Sequence, residues 1–161
     1  IGSAGKIFSL TGWKVGLVAA APPILRVLAK SHQFLTFTTP PNLQVAVAYG
    51  LMKDEAYFAS MRADLQRSRD RFCKGLTECG FSVLPSQGTY FVNVDLTPLG
   101  IADDAQFCMN LVKDHGVAAI PVSAFYAENA VRDVARFCFA KKDETLDAAL
   151  EKLHKAVRRA A

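Results

Sequence analysis

From Glu55 to Glu78 the apolar residues Tyr57, Met61, Leu65, Phe72 and Leu76 recur near helical spacing. The opposite flank carries Arg62, Asp64, Arg67, Arg69, Asp70, Arg71 and Lys74, and it reads as a solvated face laced with acids. Cys79-Gly80 then ends the pattern, with glycine where helices commonly stop. One long amphipathic helix therefore divides the chain, and the residues on its two sides follow different rules.

Downstream, strands and helices alternate. Phe81–Leu84 and Thr89–Val94 read as strands joined across Pro85-Ser86-Gln87-Gly88, and Asp103–His115 as a helix whose two leading acids suit its first turn. Val117–Val122 and Val134–Ala140 read as further strands. Asp143–Arg159 is a closing amphipathic helix with Leu146, Leu150, Leu153 and Val157 inward. This order predicts an α/β layer. Upstream, Gly2, Gly5, Gly12 and Gly16 make the first 16 residues a shaped loop region. Val15–Ala20 reads as a short buried strand stopped by Pro22-Pro23. A helix then runs to about Leu35 on Ile24, Leu25 and Leu28, a loop covers Phe34–Pro41, and another helix spans Asn42–Lys53.

Charge excludes several functions. The 161 residues carry a net charge of +4, yet residues 1–53 hold Lys6, Lys14, Arg26, Lys30 and Lys53 with no acid at all. Those cations are too scattered for a nucleic-acid footprint, although a small anion would suit them. With 51% apolar and 21% charged residues the chain is globular. The longest uncharged run, Ser31–Met52, is too polar and proline-broken to span a membrane. Cys73, Cys79, Cys108 and Cys138 lack the close spacing of zinc sites or secreted disulfide frameworks, so no metal is expected and a reducing cytoplasm is. Because the chain opens on Ile1 and runs at once into a glycine-rich motif, it is expected to be a piece of a longer protein.

The chemistry concentrates in two places. Ser3-Ala4-Gly5-Lys6 is no phosphate loop, since Ile7 stands where Ser or Thr is required. Nor is it a penicillin-binding Ser-x-x-Lys site, since no Ser-Asp-Asn or Lys-Thr-Gly partner exists. The second place is Arg136, which interrupts the otherwise apolar strand Val134–Phe139. An arginine there needs an anionic partner, either a ligand or a structural salt bridge, because a buried unpaired charge is very costly.

The stretch Ser3-Ala4-Gly5-Lys6-Ile7-Phe8-Ser9-Leu10-Thr11-Gly12-Trp13-Lys14-Val15-Gly16 resembles the lysine segment of class I/II pyridoxal-phosphate aminotransferases, most of all the kynurenine, methionine and glutamine–phenylpyruvate group. His32-Gln33, Gln87–Phe91, Val117–Ser123 and Arg136–Phe139 follow the family in order and in rough spacing. The resemblance implies the C-terminal portion of a fold-type I aminotransferase, an α/β protein. Residues 1–53 would end the large cofactor-binding domain, 54–79 would form the interdomain helix, and 80–161 the small α/β domain. It implies that Lys6 is catalytic, binding pyridoxal 5'-phosphate covalently and then shuttling the substrate's α-proton. That task demands an amine able to lose its proton near neutrality, which desolvation or a cationic neighbour favours.

Ser3 and Lys14 match the positions that bind the cofactor phosphate, although a turn serine and a surface lysine remain open as readings. Arg136 matches the residue that grips the substrate α-carboxylate by two parallel hydrogen bonds. Phe37 lies in the loop that in relatives reaches the other subunit's site, and Tyr90, with Phe91, would line the substrate entrance. Core packing is the alternative for Phe37, and the preference of β-strands for aromatic residues is the alternative for Tyr90. Relatives that prefer dicarboxylates carry an arginine in that loop. Phe34–Pro41 has none, so a neutral, aromatic or sulfur amino acid is expected, with a 2-oxo acid as acceptor, in a homodimer without nucleic-acid or membrane partners. The family's ring-stacking aromatic, its acid for the pyridine nitrogen, and the Asn and Tyr near the phenolic oxygen find no match, so this chain alone should not transaminate. A β-lyase acting on cysteine conjugates would share every residue named. The effector domain of a transcription regulator is an alternative of another class.

Overall fold

A computed structural model describes residues 1–160, with side chains through Val157. Two compact units are present, Ile1–Phe58 and a second beginning at Ala59.

In the first unit, β1 (Gly2–Ser3) pairs antiparallel with β2 (Gly16–Leu17), placing Gly2 opposite Leu17 and Ser3 opposite Gly16. The expected strand Val15–Ala20 shrinks to two residues. Its partner turns into the single-turn helix α1 (Ala4–Ile7), and a ladder is no longer than its shorter strand. A 3-10 turn, Thr11–Trp13, closes the loop between them. The helices α2 (Pro22–Leu35) and α3 (Pro41–Leu51) both begin with proline in the first turn, where its missing N–H costs nothing. The unit's core is small: Ala4, Val15 and Val47, with Phe8 and Leu43 packed against them. α2 buries no residue.

In the second unit the sheet order is β3 (Ser82–Val83), β4 (Phe91–Asp95), β6 (Val134–Cys138), β5 (Ile120–Pro121), every pair antiparallel. The strands expected from the sequence pair over only part of their lengths. β3 and β5 are edges, and Val122 leaves β5 for a 3-10 turn, Val122–Phe125. The helices are α4 (Glu55–Glu78), of which the residues from Ala59 on belong to this unit, α5 (Asp104–Asn110), which continues as one π-type turn at Leu111–His115, and α6 (Asp143–Ala160). Alternation along the strands sends Val92, Val94, Ala135 and Phe137 into one core with Phe72 and Leu76 of α4, Leu111, and Leu146 and Leu153 of α6. Each such side chain contributes about 1.5–3 kcal/mol. The opposite face of the sheet receives Asn93 and Arg136, directly across from each other.

The arginine-rich flank of α4 differs from the expectation in where its acids come from. Arg67 pairs with Asp143 at 2.8 Å and Arg71 with Asp147 at 2.6 Å, both on α6, while Arg69 pairs with its neighbour Asp70. These pairs are partly exposed and contribute little to stability. Packing holds α4 to α6: a Cβ on Gly75 would lie 2.3 Å from Leu150 Cδ1, so glycine permits the approach.

Candidate active site

The first unit presents Lys6 on a loop folded back on itself. Ala4 N–H donates to Val15 O at 3.1 Å, and the Thr11 hydroxyl donates to Gly5 O at 3.2 Å. A Cβ on Gly5 would stand 3.0 Å from Thr11 Cα and 3.3 Å from Leu10 O, so a side chain there would press on the backbone of this fold-back. Ala4 and Gly5 are thereby buried, while Ser3, Lys6 and Lys14 face outward. Ser3 ends β1 at the start of α1, yet its hydroxyl does not cap that helix. Lys14 closes the 3-10 turn in a left-handed conformation, φ +56°, which costs about 1–2 kcal/mol for a residue with a Cβ and is held by the pairing of β2 just beyond it. Phe37, also at positive φ, is 78% exposed.

The second unit presents Arg136. Strand alternation buries Ala135 and Phe137 beneath it and leaves Arg136 half-buried on the outer face. Its guanidinium carbon lies 4.2 Å from the Phe91 ring centroid and 4.5 Å from that of Phe125. Each ring attracts the cation by about 0.5–2 kcal/mol, but a ring face cannot satisfy an N–H in the guanidinium plane. Arg136 Nε is buried with no hydrogen-bond partner. Among the described residues no carboxylate pairs with Arg136, so the salt bridge left open by the sequence is not what this strand uses. Two aromatic rings against the cation and an unsatisfied Nε leave an anion as the partner this arginine lacks. The Tyr90 ring lies 4.3 Å from that of Phe91 and packs against the core, so it backs one of the two rings.

Phe125 is the residue that sequence reasoning missed. It stands in a turn after a two-residue strand, with no periodicity to mark it. A groove of about 670 Å³ in this unit, lined by Leu99, Phe107 and Val157 among others, shares no residue with the Arg136 cluster.

Comparisons with known proteins identify the family and the fold. The model of the family "Aminotransferase class I and II" matches residues 1–153, and the chain belongs to that family. It is similar to the methionine aminotransferase of Escherichia coli K12, 40% identical over 95% of this chain and 40% of the relative. Human kynurenine–oxoglutarate transaminase 1 is 36% identical over 96% of this chain and 42% of the relative. The solved structure of N-succinyldiaminopimelate aminotransferase from Mycobacterium tuberculosis superposes with a TM-score of 0.88 at 41% identity, over 95% of this chain and 40% of that one. The fold is thus that of a fold-type I aminotransferase, and the chain spans about two fifths of the length of the relatives it matches.

Members of the family use pyridoxal 5'-phosphate and act on amino acids and 2-oxo acids. The residues present fit that group. One loop offers a primary amine, a hydroxyl and a second amine, as an aldehyde-bearing phosphate ester requires, and the second unit offers an unpaired guanidinium for a carboxylate.

Proposed function

We infer that this chain supplies the lysine and the carboxylate-binding arginine of a pyridoxal 5'-phosphate-dependent aminotransferase, one that moves an amino group from a neutral, aromatic or sulfur amino acid to a 2-oxo acid. The observation that carries this reading is Arg136, a guanidinium lying against the Phe91 and Phe125 rings with its buried Nε unpartnered. When bound, the cofactor supplies an electron sink for the bond broken at the substrate's α-carbon. The Lys6 amine would accept the α-proton and return it. Ser3 would donate a hydrogen bond from its hydroxyl to the cofactor phosphate, and Lys14 would neutralise the phosphate as a point charge. Arg136 holds the α-carboxylate by two parallel hydrogen bonds. The flanking rings keep water from its faces, which strengthens the charge interaction.

Residues 1–53 are read as the end of the large domain, 54–79 as the interdomain helix and 80–161 as the small domain of a homodimeric enzyme. Phe37 and Tyr90 are read as lining the substrate site. The absence of a cation in the Phe34–Pro41 loop supports a neutral substrate side chain. Four free thiols support a cytoplasmic setting. Among the described residues no helix is long and apolar enough to cross a membrane.

The test uses the full-length enzyme. After loading with pyridoxal 5'-phosphate and reduction with borohydride, peptide mapping should find the label on Lys6. A label on any other lysine refutes the assignment. Lys6→Ala should lower turnover by about 10²–10⁴-fold through loss of the proton shuttle.

A further inference from the structure

Among the described residues, Asp104 is the only charged side chain that is fully buried. The start of α5 does not need it, because Asp103 already caps that helix by accepting the Gln106 N–H at 2.9 Å. Both Asp104 oxygens instead serve one residue of another element. Ser123 N–H donates to Oδ2 at 2.8 Å, and the Ser123 hydroxyl donates to Oδ1 at 2.6 Å. A buried carboxyl is costly and persists where its hydrogen bonds fix something in place.

What these bonds fix is the turn Val122–Phe125. Ser123 sits inside it, Ser123 O accepts the Tyr126 N–H at 3.1 Å, and the ring of Phe125 at its end lies under the Arg136 guanidinium carbon, 4.5 Å away. Core packing does not hold that ring, since Phe125 is 61% exposed. Phe91, by contrast, is seated in β4, fully paired with β6. The Phe125 side of the clamp therefore depends on how its turn is anchored. On the β5 side the anchor is Ile120, paired with Arg136 itself; on the other it is Asp104.

We propose that Asp104, acting through Ser123, is a positioning residue for Arg136: it sets the turn that lays Phe125 on the guanidinium, so that the arginine presents its edge, correctly oriented, to a substrate carboxylate. The proposal rests on the reading of Arg136 as the carboxylate site. Neither Asp104 nor Ser123 touches substrate. Release of their contact frees the ring, lets the guanidinium rotate and weakens carboxylate binding without touching the proton transfer at Lys6.

The experiment measures binding of 3-phenylpropionate, a carboxylate without an amino group, to the cofactor-loaded full-length enzyme by calorimetry, alongside KM and kcat. Ser123→Ala is made in the wild-type and in the Arg136→Lys background. In the wild type it should weaken 3-phenylpropionate and raise the amino-acid KM in parallel by about tenfold, with kcat held within about twofold. Ser123→Thr, which keeps the hydroxyl, should restore both. In the Arg136→Lys background Ser123→Ala should add nothing. A weakening of equal size in both backgrounds, or none in either, overturns the proposal. If Arg136→Lys itself leaves 3-phenylpropionate binding unchanged, the carboxylate reading fails first and the positioning role falls with it, so the two failures are told apart. Should Ser123→Ala not fold, Asp104→Asn, similar in size but short of one acceptor, is judged by the same criteria.

Discussion

Arg136 and Cys108 show how far single residues are governed by what packs around them. Arg136 keeps a charged group half out of solvent with two aromatic rings lying against it. Lysine at that position would keep the charge and lose the fork. Cys108 sits in the core beside Asp104. Burial, with the nearby carboxylate adding to it, pushes its thiol up to about 11. Burial also raises the thiols of Cys73 and Cys79. Since the thiolate is the reactive form, iodoacetamide at about pH 8 should leave Cys108 unmodified in the native protein and alkylate it only after unfolding. Peptide mass analysis reads this directly, and native alkylation of Cys108 would contradict its burial. In the sequence Cys108 and Asp104 are ordinary residues of a predicted helix. Their burial was not legible, because it depends on segments that meet them only in the fold.

At the scale of elements, the helices were legible and the strands only in part. α4 spans Glu55–Glu78 as its apolar spacing predicts, and α2 ends at Leu35. Helical hydrogen bonds close within the segment, so local pattern decides them. The strands are shorter than their apolar runs because a ladder needs both chains extended side by side, and β3 and β5 leave their longer partners after two residues, β3 toward Pro85 and β5 into the Val122–Phe125 turn. The acids of the α4–α6 seam were legible as acids but not as partners of Arg67 and Arg71. The seam has a pH signature. Asp147 is held below its ordinary value of 3.8, first by the side-chain hydrogen bond from Arg71 and then by the charge of the same guanidinium. A carboxylate lowered on folding adds stability above its unfolded pKa, and that stability is lost as pH falls through the folded value. The melting-temperature advantage of the wild type over Arg71→Gln should therefore be steady above about pH 5 and shrink below about pH 3.5. Asp95, lowered by hydrogen bonds from the Thr97 hydroxyl and N–H, titrates alike in both proteins and cancels from the difference. An advantage that grew on acidification would refute the pairing.

At the scale of the molecule, the two units differ in how they are covered. The second encloses a core drawn from its sheet and three helices. The first leaves Phe34, Val45, Tyr49 and Met52 open, at 86%, 70%, 69% and 85% exposure, and its α2 buries nothing. Apolar surface of this extent is normally covered by other protein. In the homodimer proposed above, further chain would cover it. Residues 1–161 produced alone should accordingly bind a hydrophobic dye and associate with increasing concentration in sedimentation experiments. A monomer silent to the dye would show that this surface needs no partner.

The amino-acid order by itself determined the long dividing helix, the α/β character of the residues after it, and the Lys6 segment with its spaced Ser3 and Lys14. Each of these is written within a few turns of chain, where hydrophobic period, glycine placement and motif spacing act locally. It also marked Arg136 as a charge requiring an anion. Only the tertiary structure decided how that requirement is met. The rings at Phe91 and Phe125 and the carboxyl at Asp104 come from β4, from the turn after β5 and from α5. They reach Arg136, directly or through Ser123, only because antiparallel pairing brings β4 and β5 to either side of β6. Such contacts are set by register and packing between distant segments, which no local pattern encodes.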